Sequence, residues 1–245
     1  LGKDYEIIKP FLPNYIDSVL CLKAAFEAQD PSTKRLLVKS TILHCSFAVE
    51  ALANNLIQFL DFSTGFGNSI DKLDPIAKLE MFSFLMKKGG FDRGQYQIQV
   101  FSSLIKIRND YVHPKTKQKN RVFSTKPSEH PIDIYVVGEE QNNRNKGVID
   151  ISVESSQWVY EDALKCLSAF TRAIDVLLLD VLELEENSLM CTFLNKLFVD
   201  GMRGPSIPND HVWLEWLMTN TKIEPKFYSH HIKKKINRIN TRLVD

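Results

Sequence analysis

Apolar side chains recur at helical spacing through most of the chain. Between residues 12 and 29, Ile16, Val19, Leu20 and Phe26 fall near one stripe together with Lys23, which predicts a first helix. Asp30-Pro31-Ser32 interrupts that pattern and places Ser32 to cap the next element. A second, longer helix is expected over 32–62. Its middle, ILHCSFAVEALANNLIQFL, is apolar on nearly every side, the mark of a helix inside a core. The stretch 63–69 holds two glycines and reads as a loop. Asp74-Pro75 opens a third helix that runs to about residue 88 and stops at Gly89-Gly90. Asp92 then caps a fourth, from 93 to about 112.

The texture changes after His113-Pro114. Residues 114–131 are polar and basic, with three prolines. The runs 132–137 (IDIYVV) and 148–153 (VIDISV) alternate like strands around the polar connection EEQNNRNKG. They predict a β-hairpin inserted near 132–154. Ser155 or Ser156 caps a further helix to about 186, with Trp158, Ala163, Leu167, Phe170, Ile174 and Leu178 on its apolar side. Residues 188–245 read as shorter helices. Within them 201–208 is a Gly/Pro-rich break, and Asn209-Asp210 caps a helix carrying Trp213 and Trp216. The basic tail spaces Ile232, Ile236, Ile239 and Leu243 along one stripe. The expected fold is mainly all-α: a bundle of about five helices over 1–187 with the inserted hairpin, and a C-terminal helical extension over 188–245 packed on it.

Composition narrows the class. The chain has 245 residues, 44% hydrophobic and 25% charged, and its 31 basic and 30 acidic side chains leave a net charge of +1. That balance excludes a disordered polyelectrolyte and supports a packed core. Cys21, Cys45, Cys166 and Cys191 are far apart in apolar stretches without any C-x-x-C, which predicts reduced, buried thiols. No signal-peptide pattern is visible, and Ala173–Leu182, the most apolar stretch, is short and interrupted by Asp175 and Asp180. A cytoplasmic protein with no membrane contact is expected.

The candidate chemistry begins with charges in apolar patterns. On the fourth helix Phe101, Leu104, Ile105, Arg108 and Tyr111 or Val112 share core spacing, so Arg108 occupies an apolar position. A buried guanidinium needs a partner. Glu50 lies mid-way along the apolar second helix, with Asn54 one turn further on the same face, and offers that partner. Asn109 and His113 are four apart. Pro114 disfavours helical geometry at His113, so the helix should end there and let His113 swing toward Arg108. Arginine can hold a phosphate through two parallel hydrogen bonds, and histidine can move protons near neutral pH. Together they suffice for metal-independent cleavage of RNA by the substrate's own 2′-hydroxyl. Lys115, Lys117, Lys119 and Arg121 follow directly, a basic run suited to a polyanion. His230-His231 lacks further ligands at metal spacing, so no metal and no cofactor is expected.

At Arg108-Asn109-Asp110-Tyr111-Val112-His113 the chain resembles the HEPN superfamily, whose motif is Arg, a polar residue, then His after four to six intervening positions. FAVEALANNLI with Glu50 and the long helix after the motif are similar as well. The resemblance spans residues 10–187. It implies a helical bundle that forms a homodimer, so that two motifs face one cleft. It implies an endoribonuclease of a toxin–antitoxin or phage-defence system, with an antitoxin protein as a further partner. Carried over, Arg108 and His113 form the catalytic pair, Asn109 is the polar helper, Glu50 orients Arg108, and Asn54 and Tyr111 support the site. The inserted hairpin departs from a minimal bundle. Two other readings use the same residues: a non-catalytic module binding a nucleotide, RNA or protein in that cleft, and a structural Arg108–Glu50 ion pair.

Overall fold

The computed structural model describes residues 5–60, 62, 69–113, 147–152, 154–199, 202–206 and 212–229. Seven α-helices are present among them: α1 (Phe11–Glu27), α2 (Pro31–Phe59), α3 (Pro75–Leu85), α4 (Tyr96–Val112), α5 (Tyr160–Asp175), α6 (Glu186–Phe193) and α7 (Val212–Thr221). The architecture is mainly helical, as the periodicity predicts. α2 is its axis and packs against α1, α3, α4, α5 and α6. By length and composition α2 could cross a membrane, and it is a longer apolar run than 173–182, although 56% of its apolar window is buried inside the bundle.

Local chemistry sets the helix starts. Asp30, rather than Ser32, caps α2: its Oδ2 accepts from the Thr33 N–H at 2.6 Å, and Pro31 takes the first helical position, where no N–H is needed. Asp74 does the same for α3, accepting from the Ile76 and Ala77 N–H groups at 3.0 and 3.1 Å. Gly89, at φ +80°, follows the end of α3 in the left-handed region that favours glycine. The fourth helix begins at Tyr96, not Arg93, because Asp92 accepts from the Gly94 N–H at 2.8 Å and makes a turn instead of a cap.

Two other expectations change. The helix assigned from Ser155 to about 186 is broken into three pieces. Ser155–Gln157 is a 3₁₀ turn, α5 starts at Tyr160, and Val176–Val181 widens into π geometry. The widening shows in the bond from the Leu182 N–H to the Leu177 carbonyl at 2.8 Å. In the inserted hairpin, the run 132–137 lies outside the described residues. Of the second run, 148–149 is a bend and, among its described residues, only Ser152 makes a bridge, so 148–152 is not a regular strand.

The C-terminal region is not purely helical either. β1 (Tyr5–Ile7), β2 (Asn195–Val199) and β3 (Met202–Ser206) form an antiparallel sheet in the order β1-β2-β3. Tyr5 lies opposite Phe198, and Val199 opposite Met202. The stretch read as a Gly/Pro break therefore supplies a hairpin strand. The basic tail 230–245 lies outside the described residues.

One apolar core runs from Phe11 to Tyr228. Phe11 contacts Phe193 and Phe227 at ring separations of 4.7 and 5.8 Å, and Tyr15 meets Trp213 at 5.9 Å. Residues beyond 188 thus share the core of α1. The buried Tyr15 hydroxyl is satisfied by Thr171 Oγ1 at 2.8 Å, and burial raises its pKa. Cys45 and Cys166 are buried as expected, and burial pushes the Cys45 thiol up to about 12. Cys21 is only half-buried and Cys191 is exposed, which corrects the expectation of four buried thiols.

Candidate functional site at the end of helix α4

The apolar stripe of α4 buries its first half and releases its second. Ile98, Phe101 and Leu104 are fully buried, whereas residues 109–113 are all exposed. The Ser46 hydroxyl donates to the Leu104 carbonyl at 2.9 Å and ties α4 to the middle of α2. One turn further along both helices the charged residues meet.

Arg108 Nη2 lies 3.6 Å from Glu50 Oε2. Its Nη1 donates to Asn109 Oδ1 at 2.9 Å, and its guanidinium carbon lies 6.0 Å from the Phe47 ring centroid. The pair forms where the spacing predicts, but not buried: the Arg108 side chain is 33% exposed and that of Glu50 is 50% exposed. The apolar pattern of α2 overstates burial at Glu50 because this side of α2 is left uncovered beside the end of α4. Arg108 Nε is enclosed and makes no hydrogen bond. The guanidinium is thus held at three points while part of its edge faces solvent.

His113 ends α4 as its neighbour Pro114 requires. Its N–H still donates to the Asn109 carbonyl at 2.9 Å, but its backbone has left helical geometry, at φ −119° and ψ 64°. The imidazole is exposed, and among the described residues it makes no hydrogen bond or ion pair with Arg108. Asn109 therefore meets both residues, Arg108 through its side chain and His113 through its backbone.

Asn54 is not part of this cluster. Its Oδ1 accepts from Lys78 Nζ at 2.7 Å, and the same ammonium donates to the Asp71 carbonyl at 3.0 Å. The fourfold spacing put Asn54 near Glu50, but α3 crosses there and takes it. Tyr111 does support the end of α4. Its ring stacks on Trp158 at 6.1 Å and 20°, and Trp158 Nε1 donates to the Ser152 carbonyl at 2.8 Å. Lys115, Lys117, Lys119 and Arg121 lie outside the described residues.

Two contributors escaped the sequence reading. Phe47 lies under Arg108, and its i, i+3 spacing from Glu50 is the signal that places both on one face. The second is a cleft of about 460 Å³ between the start of α3 and the last turns of α4, bordered by Asp74, Arg93, Ser102, Lys106, Asn109 and Asp110. Asn109 borders both this cleft and Arg108. Among the described residues no three His, Cys, Asp or Glu side chains gather as metal ligands.

No protein-family model matches the chain, and neither a curated protein nor a solved structure matches it.

Proposed function

We propose that the protein is a metal-independent endoribonuclease of HEPN type, acting as a homodimer in a toxin–antitoxin or phage-defence setting. The observation that carries this reading is the anchored, partly open guanidinium of Arg108, held by Glu50, Asn109 and Phe47 one turn before His113. Those contacts fix where the guanidinium points and leave part of its edge open to a phosphate.

In this reading Arg108 receives the non-bridging oxygens of a phosphodiester and offsets the charge that builds on them. A His113 imidazole accepts the proton of the 2′-hydroxyl as that oxygen bonds to phosphorus. The bond from phosphorus to the 5′-oxygen breaks, and a second imidazole, His113 of the partner copy, donates a proton to the leaving oxygen. The products are a 2′,3′-cyclic phosphate and a 5′-hydroxyl. The exposed run 109–113, with Tyr111 and Val112 open to solvent, supplies a surface for pairing two copies.

The test is incubation of wild type and His113→Ala with single-stranded RNA in EDTA. The expected result is cleavage by wild type with cyclic phosphate ends, lowered by about 10²–10⁴ in the variant. Equal activity in both removes His113 from the mechanism. Sedimentation as a monomer at tens of micromolar counts against a two-copy site.

A second reading has its own support. The His113 imidazole makes no hydrogen bond to Arg108 within one chain, so the same geometry also suits a non-catalytic module that binds a nucleotide, RNA or protein through Arg108 alone. RNA binding with steep salt dependence and no cleavage favours it.

A further inference from the structure

The outer side of α4 lines an open cleft. Ser102, Ile105, Lys106, Asn109 and Asp110 recur at the spacing of one helix face, and all five border the space of about 460 Å³. Asp74, Ile76 and Arg93 stand opposite them. The gap exists because α3 packs chiefly on α2 and meets α4 only lightly. Its volume falls within the range of small-molecule sites, about 300–1,000 Å³. Ile76 is buried and Ile105 half-buried, so both walls carry apolar surface.

The polar groups of the far wall are largely engaged. Asp74 Oδ1 caps α3, and Arg93 Nη2 donates to Glu80 Oε2 at 3.0 Å. The α4 wall is different. Lys106 and Asp110 are four residues apart, the spacing of a helical ion pair, yet among the described residues neither is paired. Asn109 spends its Oδ1 on Arg108 at 2.9 Å, so its Nδ2 is the end left to donate. One carboxylate, one amide N–H donor and one ammonium therefore stand unspent on a single helix face beside the Arg108 site.

Two acids and two cations border this cleft, so it does not select an anion. It suits a flat, neutral ligand that carries donors and acceptors on one edge and apolar faces on either side. Among the RNA bases only guanine presents two adjacent donors, N1–H and N2–H, next to an acceptor, O6. A carboxylate meets both donors at once, and an amide N–H or ammonium meets O6. Adenine and cytosine offer one amino group beside ring acceptors, and uracil one N–H between two carbonyls, so each leaves the carboxylate half matched. We propose that the cleft binds a guanine base, with Asp110 accepting from N1–H and N2–H and with Asn109 Nδ2 and Lys106 donating to O6. The base faces then rest on Ile76 and Ile105. Because Asn109 is joined to Arg108, this guanine lies next to the phosphate held there and sets which bond is reached. Placing the guanine in RNA rests on the ribonuclease reading; the base preference does not.

The full chain is titrated, by fluorescence anisotropy, into labelled 2′-O-methyl oligouridylates that carry one central guanine or one central adenine and lack the attacking hydroxyl. The guanine strand is expected to bind about tenfold more tightly than the adenine strand. Asp110→Asn is expected to bring the two to equal affinity. So is Ser102→Trp, which fills the cleft from an exposed position. Arg108→Gln is expected to weaken both strands alike and keep the preference. Equal affinity of wild type for the two strands, or binding of neither, overturns the proposal. A guanine preference that survives both Asp110→Asn and Ser102→Trp also overturns it. Guanosine 5′-monophosphate is added as competitor: displacement of the guanine strand at concentrations below that strand's own Kd, lost in Asp110→Asn, assigns the cleft to a free guanine nucleotide instead of RNA. A guanine preference in a wild type that cuts no ordinary RNA overturns the nuclease and leaves the cleft standing. Cleavage with no base preference does the reverse.

Discussion

Tyr111 lies almost parallel to Trp158, with 6.1 Å between ring centroids and 20° between planes. The contact joins the last turn of α4 to the segment that leads into α5. It is reinforced from behind, because the Trp158 N–H is spent on the Ser152 carbonyl at 2.8 Å. The position of Arg108 therefore depends on a ring that lies 50 residues further along the chain. Trp158→Phe keeps most of the stacked area and leaves the Ser152 carbonyl without its donor, so it should cost about 1 kcal/mol. Trp158→Ala should cost about 3 kcal/mol. Urea unfolding of the three proteins checks the order.

The Arg108–Glu50 pair is half exposed, and pairs of that kind contribute under about 1 kcal/mol to folding. Glu50→Gln keeps the shape and removes the charge. Its melting temperature should stay within about 2 °C of wild type. On the proposed ribonuclease reading, RNA cleavage should nonetheless fall about tenfold, the cost of a less firmly aimed guanidinium. A large loss of stability with unchanged cleavage would make the pair purely structural.

Asp175 ends α5, and its carboxylate accepts from the N–H groups of Phe227 at 2.9 Å and Lys226 at 3.2 Å. Burial outweighs those bonds and raises its pKa to about 6, with Glu224 adding to the rise and Lys226 opposing it. The folded state therefore holds this proton more tightly than the unfolded chain between about pH 4 and 6. Stability from this group is present at the acid end and is lost as pH rises through 6. Asp175→Asn cannot titrate. From pH 4 to pH 7 the difference in unfolding free energy should move by about 1–2 kcal/mol in favour of the variant. No relative movement would mean that the carboxylate is better solvated than its surroundings imply.

Lys9 is 2% exposed, and its ammonium donates to Gln58 Oε1 at 2.7 Å. Burial and the nearby Lys196 lower its pKa to about 8, while Cys191 acts the other way. For a depressed lysine the native state sheds its proton first, so stability rises with pH between about 8 and 10.5. Lys9→Met should remove that rise while leaving the rest of the stability profile in place. Chemical denaturation at pH 7.5, 8.5 and 9.5 reads the difference directly.

Much of this fold is legible along the chain where the determinants are local. Asp74-Pro75 and Gly89 bracket α3 because a capping carboxylate, a proline and a left-handed glycine each act within a few residues. The pattern around Asp30 is equally local, though Asp30 rather than Ser32 turns out to be the acceptor. The sheet is not legible in this way. Tyr5–Ile7 is three residues long and finds its partner only at 195–199, so no short-range periodicity announces it. The π turn at Val176–Val181 hides inside an apolar run that reads as ordinary helix.

At the site, spacing alone joined Arg108 to Glu50, because two misfit charges on neighbouring helices have few other partners. Spacing did not show that the end of α4 is exposed, since exposure depends on which neighbouring helix stops short. It also misassigned Asn54, which Lys78 of α3 engages from outside the reach of any single-helix pattern. Phe47 was legible in principle, one turn before Glu50, but nothing in its identity distinguishes a ring under a guanidinium from one in the core.

The pairing of Tyr5–Ile7 with β2, and of Phe11 with Phe193 and Phe227, joins the two ends of the chain across almost its whole length. While it is being synthesised, the emerging polypeptide cannot finish covering Phe11 and Tyr15 until Phe193, Trp213 and Phe227 have left the ribosome. Helices α1–α5 must therefore wait with a greasy flank open to water, and a premature stop shortly after α5 would leave a sticky fragment.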